Sequence, residues 1–294
     1  MTISVIIAAY NAGRTIRHSL QSIFSQTTPV SEVIVVDDGS SDNTAEVVNG
    51  FPGVRYIYQE NRGPAAARNN GVRTASGDFV AFLDSDDYWE PGHIDRLTGV
   101  LKMNPDLRWA ASAYRKRFIK GGYKTVCLKD QYYIPGFRTD YFTATPRLHF
   151  LSVISTIVRR DLFLSAGGFA ERYSRGEDLS LWLRLAILSP VLGYSPEPTA
   201  VYEEMPHSLT SGKVDRASLL SRIADDYALV CKEPAELQER AWPVIRPWIA
   251  GLFEKSIRSG DVDTLTAIGK IFGKRLNLHQ RFILKIAGTM QKAF

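Results

Sequence analysis

Short apolar runs that end in polar turns, alternating with stretches of helical periodicity, leave this chain of 294 residues few folds to choose from. Ile3 to Ala9, Glu32 to Val36, Val54 to Tyr58 and Phe79 to Leu83 read as strands, the continuous apolar runs among them as strands buried on both faces. Between them, Ile16, Leu20, Ile23 and Phe24 mark one face of a helix, Ala45 to Asn49 reads as a second, and Pro64 opens a third through Ala75. Strands that alternate with helices predict parallel pairing through right-handed crossovers, and ligands then collect at the carboxyl ends of the strands. The chain therefore reads as α/β, a mostly parallel sheet flanked by helices.

Each of these strand ends carries polar residues that packing alone does not need: Tyr10-Asn11, Asp37-Asp38-Gly39, Asn61-Arg62-Gly63-Pro64 and Asp84-Ser85-Asp86-Asp87. Three carboxylates crowded at the end of a buried strand repel one another and lose hydration, so a cation or a set of donors must hold them there. An Asp-x-Asp in that place suits Mg²⁺ or Mn²⁺, which take oxygen ligands and keep positions open for a diphosphate. The plainer alternative is a solvated acidic turn that caps the next helix.

Further along, Ile94, Leu97 and Leu101 predict a helix, and Leu107 to Tyr114 and Ser152 to Val158 predict strands. Residues Arg115 to Arg147 are less regular and rich in Tyr and Phe, fitting a β-ribbon or a loop whose rings serve either edge packing or a sugar face. A helix follows Gly176-Glu177-Asp178, and Thr199 to Glu203 reads as the last strand. From Arg216 onward the pattern is helical throughout, which predicts two domains, an α/β one over 1–212 and a basic helical region over 213–294.

Net charge is +5, and all of the excess lies in that second region: from Ser211 on there are 14 Lys and Arg against 9 Asp and Glu. Beyond Asp263 the chain has basic residues and no acidic one. Residues 264–294 thus predict contact with an anionic membrane surface or with preceding helices or a second copy in a homo-oligomer. Nucleic acid is not expected as a partner, because no recognition motif accompanies the basic tail. Cys127 and Cys231 are too few and too isolated for a disulfide framework or a zinc site. No stretch approaches a membrane span and the apolar start lacks a basic leader, so the expected place is the cytoplasm, including the inner face of the cytoplasmic membrane.

Five stretches in order resemble the family 2 glycosyltransferases, inverting enzymes of GT-A fold that use nucleotide sugars: Ser4 to Asn11, Val35 to Asp42, Asn61 to Asn69, Phe82 to Asp87, and Gly167-Gly168-Phe169 with Gly176-Glu177-Asp178. The resemblance covers residues 3 to 210. It implies a GT-A Rossmann-like sheet with a C-terminal helical extension, and it implies the roles that follow. Ala8 and Tyr10 resemble the residues that flank the nucleobase, and Asp38 the carboxylate that accepts from the base edge. That carboxylate suits uracil or thymine and also guanine, with a UDP-sugar expected first. Arg68 resembles the cation that locks the nucleotide pocket, and Asn11, Asn61, Gly63 and Ser85 fall among the donor-contacting positions. Asp86 resembles the direct Mn²⁺ or Mg²⁺ ligand, Asp84 a ribose or outer contact that also counts with the metal set, and His207 a residue near metal or diphosphate.

Asp178 resembles the general base and Glu177 the residue that orients acceptor or sugar; a helix cap is the alternative for Asp178. The implied reaction is a single displacement on a nucleotide sugar by a saccharide or lipid-linked acceptor hydroxyl, in surface polysaccharide or glycolipid assembly. Processive synthases of this kind carry a Gln-x-x-Arg-Trp motif, and Gln238-Glu239-Arg240-Ala241-Trp242 does not match it, so addition of one sugar is expected. Two rivals differ in class. A nucleotidyltransferase would open with a Gly-rich phosphate loop, which Ile6 to Asn11 does not offer, and an inactive scaffold would lack Asp86 or Asp178.

Overall fold

A computed structural model describes residues 1–134, 136–145, 150–173, 175–206, 215–277, 280–281 and 283–284. In the first part of the chain the apolar runs become strands and the amphipathic stretches the helices that cover them. The elements are β1 (Ile3–Ala9), α1 (Ile16–Phe24), β2 (Glu32–Asp37), α2 (Thr44–Asn49), β3 (Val54–Tyr58), α3 (Pro64–Thr74) and β4 (Phe79–Asp84). Neighbouring strands here are all parallel, β1 lying between β2 and β4 with Ala8 level with both Val36 and Asp84. Strand order reverses at β1, so the ends of β1, β2 and β4 open onto one crevice.

The second part is mixed, with parallel and antiparallel strand pairs. It comprises β5 (Tyr88–Trp89), α4 (His93–Met103), β6 (Trp109–Arg117), β7 (Tyr123–Val126), β8 (Arg138–Asp140), α5 (Tyr141–Ala144), β9 (Thr156–Arg159), α6 (Arg160–Ser165), α7 (Glu177–Leu188) and β10 (Val191–Glu203). The main order is β3-β2-β1-β4-β9-β6-β10-β5, and β9 is antiparallel to both β4 and β6. Two expected boundaries shift for physical reasons. The strand expected from Ser152 starts only at Thr156, because Ser155 turns its hydroxyl back on Ser152 and closes a 3-10 turn over Val153–Ser155. The last strand begins at Val191 rather than Thr199. Pro196 and Pro198 fall in an irregularity of the β6–β10 pairing, where a missing N–H costs no ladder bond. The irregular aromatic stretch contains a ribbon, with β7 antiparallel to the outer end of β6, while Tyr141 and Phe142 are buried.

The core fills the space between this sheet and its helices, from Val5, Ile7 and Leu20 through Leu83 to Leu97 and Ala200. His93, at the start of α4, is fully buried, with Nδ1 2.9 Å from the Thr199 hydroxyl and its ring stacked on Trp89 at 4.6 Å. Burial lowers its pKa from 6.5 to about 3. Below 6.5 the unfolded chain takes up a proton that the folded chain refuses, so this contribution is present above 6.5 and is lost as pH falls toward 3. Stability should therefore drop by about 2 kcal/mol between pH 7.5 and pH 5 through His93 alone. Urea unfolding at both pH values checks it: the drop should shrink by that amount in His93→Gln, and an equal drop in both proteins removes His93 as its source.

The chain divides into two compact units, Met1–Arg172 with Glu177–Gly212, and Tyr173–Gly176 with Lys213–Phe294. The second unit holds α8 (Arg216–Val230), α9 (Ala235–Ser259) and α10 (Val262–Phe272). Leu265, Ile268 and Phe272 of α10 are buried, Phe272 against Tyr227, and Arg275 pairs with Glu239 over the Trp242 ring. The apolar positions of 264–272 are thus used inside the helical unit. Most of the basic stretch from Gln280 on, including Lys285 and Lys292, lies outside the described residues. No described helix is long and apolar enough to cross a membrane.

Candidate active site

Two loops close the floor of the crevice. Asn11, at φ 49°, receives a hydrogen bond on its side-chain oxygen from Ser41 N and donates its own N–H to Ser40, which ties the β1 end to the β2 end. Gly39 sits at φ +82°, and a Cβ there would stand 3.0 Å from the Asn61 nitrogen, so only glycine allows the β2 and β3 ends to approach. Asp38 is buried and accepts from Gln59 Nε2 at 2.7 Å, Arg62 N at 2.9 Å and Gly63 N at 2.7 Å. Oδ1 takes two of these bonds and Oδ2 one, so Oδ2 keeps lone-pair capacity for one more donor. Ala8 is half-buried at the crevice floor, while Tyr10 stands 55% exposed above it and Asn61 is exposed at its side.

Arg68 of α3 organises the other side. Its guanidinium lies 2.6 Å from Asp84 Oδ1, at the end of β4, and 3.4 Å from Glu177 Oε1, at the start of α7. It also lies 5.3 Å from the centre of the Phe169 ring. Burial works against the charged guanidinium, but the charges of Asp84 and Glu177 outweigh it and raise its pKa. Arg68 is thus not joined to the Asp38 cluster; it links the Asp-x-Asp motif to the Glu177-Asp178 motif. Phe169 is held in place by Asn69, which accepts from Phe169 N at 2.8 Å and donates to Phe169 O at 2.8 Å.

The four residues after β4 separate by environment. Asp84 is engaged by Arg68, and Ser85 is half-buried. Burial pushes Asp86 up to about 6, and the charge of Asp84 adds to that. Asp87 is fully buried and accepts from Glu203 N at 2.8 Å, which ties the loop to β10; burial, then Asp84 and Asp86, raise it well above the carboxylate range. Its role is structural. Asp86 with Asp84 offers hard oxygen donors beside a negative-charge excess, a donor set that fits Mn²⁺ or Mg²⁺ completing its shell from diphosphate and water. Among the described residues no group of three or more His, Cys, Asp and Glu gathers around a metal position, and His207 lies outside them.

Asp178 is the second residue of α7 rather than its cap, half-buried, accepting from Leu179 N at 2.8 Å. Burial raises Glu177, and the charge of Asp178 adds to the rise against the opposing pull of Arg68. On β6, burial and then the Asp178 charge push the Tyr114 hydroxyl up to about 12. Tyr114, Asn69 and Glu203 are site residues that sequence reading missed. Asn69 was the legible one, being part of a motif already singled out. A cavity of about 580 Å³ lined by Asp78, Lys102 and Arg160 lies at the amino-terminal edge of the sheet, opposite these carboxylates.

A crevice at the reversal of strand order in a parallel half-sheet, continued by a mixed second half, gives the chain the architecture of the GT-A class of folds. Residues 4–165 match the model of Glycosyl transferase family 2, and the chain belongs to that family. Escherichia coli WfaP, named a UDP-Glc:alpha-D-GlcNAc-diphosphoundecaprenol beta-1,3-glucosyltransferase, is 44% identical over 90 residues, covering 30% of this chain and 36% of that protein. An uncharacterized glycosyltransferase of Rickettsia felis is 29% identical over 206 residues, 68% of this chain and 32% of the relative. Alignments with the first curated relatives span about a third of their length. Among solved structures, S. aureus TarS 1-349 superposes with a TM-score of 0.72 at 18% identity, over 92% of this chain and 81% of that one. Its complex with UDP-GlcNAc gives 0.69, also at 18%, over 98% and 79%. At that identity the likeness is one of fold.

Proposed function

We propose that this chain transfers one sugar from a UDP-sugar to a hydroxyl of a saccharide or lipid-linked acceptor, with inversion at the anomeric carbon. The observation that carries this reading is the Arg68 bridge, 2.6 Å to Asp84 and 3.4 Å to Glu177, since one buried cation joins the donor motif to the acceptor motif. Asp178 takes the proton of the acceptor hydroxyl. The freed oxygen bonds to the anomeric carbon from the face opposite the diphosphate, and the carbon–oxygen bond to UDP breaks with its electron pair leaving on UDP. Glu177 orients the acceptor or the sugar. Ala8 and Tyr10 flank the base, Asp38 accepts from its edge, and Asn11, Asn61, Gly63 and Ser85 line the donor path. Asp86 and Asp84 would hold Mn²⁺ or Mg²⁺, which when bound neutralises charge on the departing diphosphate.

Uracil is favoured because the TarS fold relative binds UDP-GlcNAc and UDP. WfaP, by its name, acts on a diphosphoundecaprenol-linked sugar, which supports a lipid-linked saccharide acceptor and a place in surface polysaccharide or glycolipid assembly. Calorimetric titration with UDP, GDP and dTDP tests the donor side. With Mn²⁺ present, UDP should bind at least about tenfold more tightly than GDP, a difference near 1.4 kcal/mol. Undiminished UDP affinity in excess EDTA would remove the metal role of Asp86, and tighter binding of GDP would remove uracil.

A further inference from the structure

Of the three donors that hold Asp38, one is a side chain. Gln59 Nε2 at 2.7 Å and Arg62 N at 2.9 Å both donate to Oδ1, while Gly63 N at 2.7 Å donates to Oδ2. A carboxylate oxygen offers two lone pairs, so Oδ1 is filled and Oδ2 can take one more donor. The Arg62 and Gly63 donors are backbone amides, present whatever side chains stand there. Gln59 is different, and its orientation is fixed from behind. Asn70 of α3 donates Nδ2 to Gln59 Oε1 at 2.8 Å, which turns the Gln59 amide nitrogen toward Asp38, and Gln59 N donates to Asp37 O at 2.9 Å. Moving this side chain off Oδ1 therefore breaks two hydrogen bonds, one of them to a carboxylate.

We propose that Gln59, oriented by Asn70, is a specificity-determining residue for the nucleobase: by filling Oδ1 it leaves Asp38 one open position, which admits a base with a single N–H on its pairing edge and disfavours a base with two. This rests on the reading of Asp38 as the acceptor from the base edge. Uracil and thymine present N3–H between two carbonyl oxygens, and Oδ2 satisfies that one donor. Guanine presents N1–H and the exocyclic N2 amine side by side, an edge that an open carboxylate would hold with both oxygens. Against Asp38 with Oδ1 filled, the amine either gives up water without gaining a partner or displaces Gln59 from both Asp38 and Asn70. A carboxylate by itself suits all three bases, and the glutamine beside it makes the choice. Uracil and thymine are not separated here, since their pairing edges are identical.

Calorimetry on the full chain with free nucleotides, in one buffer containing Mn²⁺, isolates the second donor, because inosine diphosphate (IDP) is GDP without the N2 amine. The native protein should bind IDP about tenfold more tightly than GDP, a difference near 1.4 kcal/mol between two bases of the same ring system. Gln59→Leu keeps the bulk and removes the donor, so Oδ1 opens to the amine and GDP should draw level with IDP or pass it. UDP affinity should stay within about threefold in that variant. Equal binding of IDP and GDP to the native protein overturns the proposal, and so does a native IDP-to-GDP ratio in Gln59→Leu. A glutamine that only braced Asp38 would weaken all three nucleotides together and leave the ratio alone. UDP methylated at N3 tests the reading beneath. Binding as tight as that of UDP shows that Asp38 does not accept from the base edge and removes both inferences; a loss of about tenfold or more beside an unchanged ratio in Gln59→Leu removes the role of Gln59 alone.

Discussion

Asp178→Asn should retain UDP binding within about twofold and lose sugar transfer by about a thousandfold, in the range that a positioned general base contributes. An amide keeps the shape of the side chain and can still accept from Leu179 N, the bond at 2.8 Å that orients it, so the start of α7 should stay folded. It cannot take up a proton. The loss should therefore appear in kcat with donor KM unchanged, the pattern of an interaction made only as the acceptor oxygen attacks. Calorimetry with UDP beside a transfer assay decides the matter, and turnover within threefold of native sinks the assignment. Glu177→Gln should cost less, because Glu177 keeps one oxygen toward Arg68 as an amide.

Arg68→Met is expected to cost stability and donor binding together. Methionine replaces the apolar stem but leaves Asp84 and Glu177 without their shared cation, and both carboxylates then sit among Asp86 and Asp178 with nothing to offset them. Breaking a fully buried pair costs about 3–5 kcal/mol; with the Asp84 side chain 28% exposed, about 2–3 kcal/mol is expected, a fall in Tm on the order of 5–10 °C. Lysine at this position restores charge but not reach, since one ammonium cannot hold two carboxylates brought in from β4 and α7 with the planar fork of arginine. Arg68→Lys should recover part of the stability and little of the turnover. A native melting curve for Arg68→Met would show that the bridge is not what holds the two motifs together.

Much of the candidate site was legible because its parts are local. Asp38-Gly39-Ser40 and Asp84-Ser85-Asp86-Asp87 follow strands whose apolar character stops within one residue of the motif, so position and chemistry could be read from one stretch. The parallel half was legible for the same reason, each strand being followed by its own covering helix. The mixed half was less so. β9 enters antiparallel between β4 and β6 because of where residues 109–117 and 156–159 meet, and no periodicity within either segment records that meeting.

Sequence alone determined the alternation of buried strands and helices, the carboxylates at the strand ends and the ordered motifs of a family 2 glycosyltransferase. Those follow from side-chain period and turn chemistry, which act over a few residues. Tertiary structure alone decided which group meets which: Arg68 with Asp84 and Glu177, Asp87 sealed against the backbone of Glu203, and the Tyr173 hydroxyl with Asp225. Arg68 and Glu177 are 109 residues apart, and Asp87 and Glu203 are 116 apart. Contacts across such separations depend on how the sheet is ordered and closed, and the energy of a buried charge is set by the neighbours that closure brings to it.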